Sequence, residues 1–280
     1  MTTIGCRTLQ RWCAVNYKTI DQFYDRADAL RGVFDRRFKE PLQASAERFV
    51  WDYWHVPGEY THLRTPAFNY FPRAIYERFH RHLVKFGREQ LGCHDISPPW
   101  LSCYVEGCRQ EPHQDVPHGP LAFVFSLTPW SNRTFTGGET FIVRPRVRIE
   151  PRYNRLTVFN PALVHGVRPI RGTHDPRKGR LVVHGWFVNP RPFWVGPLKP
   201  MDVQDGLDRG LDKINFATLE PGFASYRLKI SASGHVQIVR PLIDTFQSAK
   251  VGAQLVRSLK TFTFCKQKRA TWLTFPLRID

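Results

Sequence analysis

Apolar residues recur at mostly three- and four-residue spacing through residues 8–50, at Leu9, Trp12, Phe23, Ala27, Leu30, Phe34, Phe38, Leu42, Ala46 and Phe49. That spacing puts one buried face on a helix. Residues 51–70 are aromatic without a helical period and read as loop. Pro72 stands where a helix can begin, ahead of Ile75, Phe79, Leu83, Val84 and Phe86, and Gly92 is its expected stop. The pair Pro98-Pro99 keeps the next stretch extended or turned.

From Trp100 the period changes. Residues 100–106, 121–128, 139–144, 146–149, 155–159, 163–169 and 180–188 form short apolar or alternating runs separated by Gly, Pro and Asn. Many short strands punctuated by turns predict a sandwich or a jelly roll. Pro190, Pro192, Pro197 and Pro200 then read as a connector. Beyond them, residues 226–240 pattern as a hairpin turning near Gly234, residues 249–259 as a helix, and residues 261–264 and 271–278 as closing strands. The expected organisation is a helical and aromatic support region over 1–99, a β core over 100–197, and a small α/β accessory module over 198–280.

A chain of 280 residues buries a substantial core without staples. Its 42% hydrophobic content, with 21 Phe, 8 Trp and 9 Tyr, excludes wholesale disorder. The net charge of +17 favours an acidic partner, whether nucleic acid, acidic peptide or carboxylate metabolite, but by itself sets only solubility and steering. The run Arg144-Pro-Arg146-Val-Arg148 has period two and predicts a strand face with three guanidiniums, with a solvated outer face as the ordinary outcome. The six cysteines include no CxxC, which points to reduced thiols. The first residues lack a secretory apolar run and no stretch has the apolar length of a membrane span, so the expected setting is cytoplasmic, with no membrane.

The chemistry concentrates in Glu111-Pro-His113-Gln-Asp115. An imidazole and a carboxylate two residues apart point the same way from a strand or its end. His165, in Asn160-Pro-Ala-Leu-Val-His165-Gly-Val, lies on a candidate strand fifty residues downstream, and a barrel brings such distant strands together. Two histidines and a carboxylate on one face leave iron with open positions. HxD alone is a weak signal, since two polar residues often meet at that spacing.

The surrounding pattern sharpens this. Tyr104-Val-Glu-Gly107-Cys-Arg-Gln-Glu-Pro-His113-Gln-Asp115, Gly137-Gly-Glu-Thr-Phe141, His165-Gly-Val167 and Gly179-Arg180-Leu-Val-Val-His-Gly-Trp-Phe187 resemble, in order, the core motifs of prolyl-hydroxylase-like Fe(II)/2-oxoglutarate-dependent oxygenases. The resemblance covers roughly residues 100–188 and implies a double-stranded β-helix core, mainly β, with His113, Asp115 and His165 holding Fe(II). It implies that Arg180 binds the distal carboxylate of 2-oxoglutarate and that the reaction consumes O2, giving succinate and carbon dioxide while a C–H bond is oxidised. A guanidinium suits that carboxylate because its fork donates two directional bonds. Tyr104 either adds a hydroxyl contact or packs against the barrel, and His184, inward with Arg180 if the strand alternates, either touches co-substrate or substrate or is a satisfied interior histidine. The Gly137-Gly138-Glu139 turn lies near the substrate entrance in the resembled family. Three departures stand out: Gln110 where the family often has an aromatic residue, Val182 where it commonly has Ser or Thr, and a longer stretch between His165 and Arg180.

Arg109, His118 and Arg133, close in sequence to the expected mouth, are candidates for holding an acidic substrate, with Glu139 beside them. The substrate expected from the resemblance is a peptide, an amino acid or a natural-product intermediate. A nucleic-acid oxygenase fits the charge but lacks a reader motif, and a non-catalytic binding protein is the alternative of a different class. The C-terminal module faintly resembles the small C-terminal domain of TonB-like proteins, through its Gly-centred hairpin, helix and late strands. Strand addition of a peptide, support of the core or a homodimer contact are its expected uses.

Overall fold

The structure is a computed structural model, and it describes residues 16–39, 51–116 and 118–279. Leu9, Trp12, Leu42, Ala46 and Phe49 lie outside the described residues, as does the side chain of Phe38. In chain order the elements are β1 (Tyr17–Ile20), α1 (Ala27–Lys39), β2 (Asp52–Val56), β3 (Tyr60–Pro66), α2 (Ala67–Tyr70), α3 (Arg73–Phe86), β4 (Cys93–Ile96), β5 (Trp100–Tyr104), β6 (Arg109–His113) and β7 (Leu121–Ser126). They continue with β8 (Thr140–Ile142), β9 (Val147–Ile149), β10 (Arg155–Phe159), β11 (His165–Val167), β12 (Arg180–Pro190) and β13 (Phe193–Val195). The chain closes with α4 (Pro200–Leu211), β14 (Gly222–Ile230), β15 (Val236–Asp244), α5 (Ala249–Lys260) and β16 (Thr271–Ile279).

Strands β1 to β12 make one curled antiparallel sheet of the jelly-roll, double-stranded β-helix kind, in the order β1-β10-β7-β12-β5-β3-β6-β11-β8-β9, with β2 on β3 and β4 on β12. The alternation along β12 explains its central place: Leu181, Val183 and Phe187 join the hydrophobic core, while Arg180, Val182, His184 and Trp186 line a cavity. α1 seals the core with Ala27, Leu30, Val33 and Phe34, and α3 with Phe79 and Leu83. The described part of the first expected helical face, and the face of the second, thus pack into this core. α3 runs on through a π-helical turn to Leu91, and Gly92 ends it with φ +69°, a left-handed conformation that favours glycine.

Residues 51–70, expected as loop, instead form the β2–β3 hairpin and α2. The aromatic and β-branched residues of Asp52-Tyr-Trp-His-Val56 favour a pleated, half-buried surface, and Pro57-Gly58 supplies the turn. The residues around Arg144 and Arg146 form the turn between β8 and β9 rather than a continuous strand face, although all three arginines of that run are exposed.

The second sheet, in the order β13-β16-β14-β15, carries the small C-terminal α/β region. Its hairpin turns at Gly234, as the pattern predicts. α5 buries Val251, Leu255 and Leu259 against it. α4 falls where the prolines suggested only a connector: Pro200 is its first residue, where the missing N–H costs nothing. Of the expected strand 261–264, only an isolated bridge between Thr263 and His235 is formed. Phe262 and Phe264 are instead committed to packing on Gly210 and Gly206 of α4. Thr274 donates to the carbonyl of Glu89 at 2.8 Å, tying β16 to the end of α3. Cys93, Cys103, Cys108 and Cys265 are free thiols. Among the described residues no helix is long and apolar enough to cross a membrane.

Candidate metal and co-substrate site

His113 ends β6 and His165 begins β11, and the two are direct cross-strand partners. Their rings meet at 4.6 Å between centroids. The close approach of the strands depends on Gly166, where a Cβ would stand 2.5 Å from the carbonyl oxygen of Gln110 and 2.7 Å from the Phe141 ring. Asp115 follows two residues after His113, and its backbone N–H donates to the carbonyl of Pro161 at 2.9 Å.

The polarity of the imidazoles is fixed from behind. His113 Nδ1 lies 2.8 Å from the carbonyl oxygen of Glu111, and His165 Nδ1 lies 2.8 Å from that of Leu163. A carbonyl only accepts, so each Nδ1 carries the proton and each Nε2 presents its lone pair. Asp115 Oδ1 is 3.5 Å from His113 Nε2 and Oδ2 is 3.4 Å from His165 Nε2. One donor atom from each residue lies within 4.8 Å of the others, so the set fits a two-histidine, one-carboxylate metal centre with open positions. Burial pushes the Asp115 carboxyl up, but His113 and His165, which donate to it from Nε2 when they are protonated there as well, outweigh it and hold the group well below the usual carboxylate range. Burial pushes His113 down, yet Asp115 and the Glu111 carbonyl raise it on balance.

Arg180, the first residue of β12, is opposite Tyr104 on β5 and only 2% exposed. Its guanidinium carbon lies 4.5 Å from the centre of the Tyr104 ring, and Nη2 donates to Thr140 Oγ1 at 3.2 Å. Nε makes no hydrogen bond, and no carboxylate of the described residues pairs with the guanidinium. A buried cation without a counter-charge is costly, so this environment fits an anion bound beside it. The Tyr104 phenol, pushed up to about 12 by burial, stays protonated and interacts with Arg180.

These groups share a cavity of about 440 Å³. His184 lies on its wall with Nε2 2.8 Å from Ser102 Oγ, and His118 lies at its rim with its ring 4.5 Å from that of Trp186. Arg109, Arg133 and Glu139 do not line it. Arg109 is paired with Glu111 at 2.6 Å, Arg133 is stacked on Trp130 at 3.8 Å outside the sheet, and the Glu139 backbone is held in the Gly137-Gly138 turn by Arg168. Arg109 has the parity of His113 along β6, but the register shift between the His113–His165 and Gln110–Val167 pairs breaks that alternation, and Arg133 and Glu139 fall outside the strands.

Several cavity residues escaped sequence reasoning, among them Thr140, His62 and Arg64. His62 and Arg64 lie on β3, inside the stretch read as loop, and alternation along a recognised strand would have placed both on the inner face. His62 is stacked on Tyr104 at 5.1 Å with both ring nitrogens unpartnered, and burial pushes it down to about 3. His184 is likewise pushed down to about 4 by burial. Both are neutral near pH 7.

Residues 99–188 match the family model described as the 2OG-Fe(II) oxygenase superfamily. Similar solved structures include a Pseudomonas putida prolyl-4-hydroxylase, with 17% identity, 63% of this chain and 93% of that chain covered, and a TM-score of 0.42. A prolyl hydroxylase from Trichoplax adhaerens, solved in complex with a hypoxia inducible factor oxygen degradation domain peptide fragment, has 15% identity over 62% of this chain and 83% of that one, with a TM-score of 0.43. The non-heme alpha ketoglutarate dependent epimerase SnoN from nogalamycin biosynthesis has 14% identity over 61% and 76%, with a TM-score of 0.43. No curated protein matches the chain. None of these comparisons supports the likeness of the C-terminal region to a TonB-like domain.

Proposed function

We infer that this chain is a non-haem Fe(II)- and 2-oxoglutarate-dependent oxygenase that oxidises a C–H bond of a peptide, an amino acid or a natural-product intermediate. The observation that carries the reading is the convergence of two Nε2 atoms and one ionised carboxylate in the cavity that also holds Arg180, a buried cation with no counter-charge among the described residues. His113, Asp115 and His165 would hold the iron, and Arg180 with Thr140 and Tyr104 would hold the distal carboxylate of 2-oxoglutarate. When bound, iron and 2-oxoglutarate supply the oxidation, using O2 and releasing succinate and carbon dioxide.

The protein's own share is placement and exclusion of water. The Glu111 and Leu163 carbonyls keep each imidazole in the ligating tautomer, and Asp115 stays ionised through its two histidine partners. Val182, Val124 and Phe159 line the cavity between the polar groups and keep that wall apolar. The test is succinate formation from 2-oxoglutarate by Fe(II)-loaded protein in air, read by mass spectrometry across a panel of peptides and amino acids. Succinate that requires Fe(II) and disappears in Asp115→Asn supports the reading. Its absence with every member of the panel, from folded protein that binds Fe(II), counts against it.

A further inference from the structure

The cavity wall carries a second guanidinium. Arg64 on β3 is opposite Ser102 of β5, and two residues further along β5, about 6.6 Å away, Tyr104 is opposite Arg180. The two arginines are held differently. Arg64 has Asp52 of β2 across one strand edge and Ser102 of β5 across the other, and each of those strands contributes an indole. Its guanidinium carbon is 3.2 Å from the centre of the Trp54 ring and 4.0 Å from that of Trp100. The clamp satisfies the faces of the cation and leaves its edges to be satisfied by other groups.

Those edges lack an anion. Among the described residues no acidic side chain forms an ion pair with Arg64, Asp52 included, and its Nε is buried without a hydrogen bond. The other basic groups of this wall, His62 and His184, are neutral, so Arg64 and Arg180 are the fixed cations lining the cavity. Of the lining carboxylates, Asp115 is engaged by the two histidines and Glu59 sits on the exposed β2–β3 turn. A purely structural cation–π clamp has no need to line the cavity or to leave a buried N–H unpaired.

We propose that Arg64, held flat between Trp54 and Trp100, anchors a carboxylate of the substrate, so that this site takes carboxylate-bearing molecules in preference to their neutral counterparts. The proposal rests on the oxygenase reading, in which the co-substrate engages Arg180 and leaves Arg64 to the substrate. With two indoles against the cation, its N–H groups remain for a ligand, and a carboxylate accepts two parallel bonds from a guanidinium fork.

The test uses full-length protein labelled with 15N at arginine, loaded with Zn(II) as a diamagnetic stand-in and saturated with 2-oxoglutarate, with the arginine Nε–H signals followed by NMR. Arg64→Lys, which keeps a cation between the indoles, identifies the Arg64 signal by its disappearance, and Arg180→Lys identifies the other. Sodium acetate and acetamide are the probes, with sodium chloride matching ionic strength. The expected result is a saturable shift of the Arg64 signal with acetate, and a response to acetamide weaker by roughly tenfold to a hundredfold, the difference a charge-assisted hydrogen bond makes. Equal responses to acetate and acetamide, or none to either, overturn the proposal even where 2-oxoglutarate shifts the Arg180 signal. An Arg180 signal unmoved by 2-oxoglutarate instead sinks the co-substrate reading, and the assignment of Arg64 to a substrate falls with it.

Discussion

His113 and His165 face each other as cross-strand partners on β6 and β11, and each is turned by a carbonyl two residues before it, those of Glu111 and Leu163, both at 2.8 Å. The repeated geometry turns both Nε2 atoms toward Asp115 and leaves them as the ligating atoms once they are deprotonated. Replacing either histidine by alanine should lower metal affinity by at least tenfold to a hundredfold, the range seen even when a ligand's supporting partner is removed. Equilibrium dialysis against Fe(II) or Co(II) without oxygen checks this, and unchanged affinity in either variant would remove that residue from the ligand set.

Protons compete for the same lone pairs. His113 has its pKa raised, so in the metal-free protein its contact with Asp115 stabilises the fold below the ordinary histidine range and loses that contribution as pH rises through the raised value. Metal affinity runs the opposite way, falling as pH drops through that value, because the ligand must be neutral. Asp115, held low, remains ionised throughout that window. Co(II) titrations at several pH values should show affinity beginning to fall above pH 6.5, the ordinary value for histidine.

His62 makes an independent pH prediction. Its folded pKa is depressed to about 3 from 6.5, so between those values the unfolded chain binds a proton that the native protein refuses. Stability therefore falls as pH drops from 6.5 toward 3, with a slope of about 1.4 kcal/mol per pH unit from this residue. His62→Phe, which keeps a ring against Tyr104, should flatten that part of the curve in urea unfolding series.

Arg180 is a buried cation with no counter-charge among the described residues, and its worth should appear only with ligand. Without 2-oxoglutarate, Arg180→Met should be less stable to unfolding than the parent by no more than about 1 kcal/mol, since an unpaired buried charge costs about what its packing and hydrogen bonds return. Saturating 2-oxoglutarate should raise the melting temperature of the metal-loaded parent and leave that of the variant unchanged. Equal shifts in both would place the co-substrate elsewhere.

Gly166 tests the scaffold rather than the chemistry. Gly166→Ala pushes a methyl group into the Gln110 carbonyl and the Phe141 ring, and should cost about 1–3 kcal/mol while separating β11 from β6. Thermal unfolding measures the cost, and weakened metal binding in the folded variant would show that the strand spacing sets the distance between the two histidines.

Much of this was legible in the chain. His113 and Asp115 stand out by their two-residue spacing and His165 by its candidate strand, whereas the role of Arg180 is implied only by the ordered motifs that resemble the oxygenase family; the structure brings all four to one cavity. The β2–β3 hairpin was not, because its burial has no period of two: on β3 only His62 and Thr65, three residues apart, are buried. Missing that hairpin also hid His62 and Arg64. α4 was obscured by a proline that marks its start and by Gly206 and Gly210, whose low helix propensity is overridden by the packing of Phe264 and Phe262. Arg109, Arg133 and Glu139 were misplaced because sequence distance from a ligand says nothing about which face a side chain takes.

The most direct test of the central claim is an anaerobic titration of metal-free protein with Fe(II) and then 2-oxoglutarate, following the iron-to-keto-acid charge-transfer absorption in the parent, His165→Ala and Arg180→Ala. A saturable band in the parent, lost in His165→Ala and formed only at higher 2-oxoglutarate in Arg180→Ala, is the predicted result. No band in folded parent protein that has taken up Fe(II) would contradict the account.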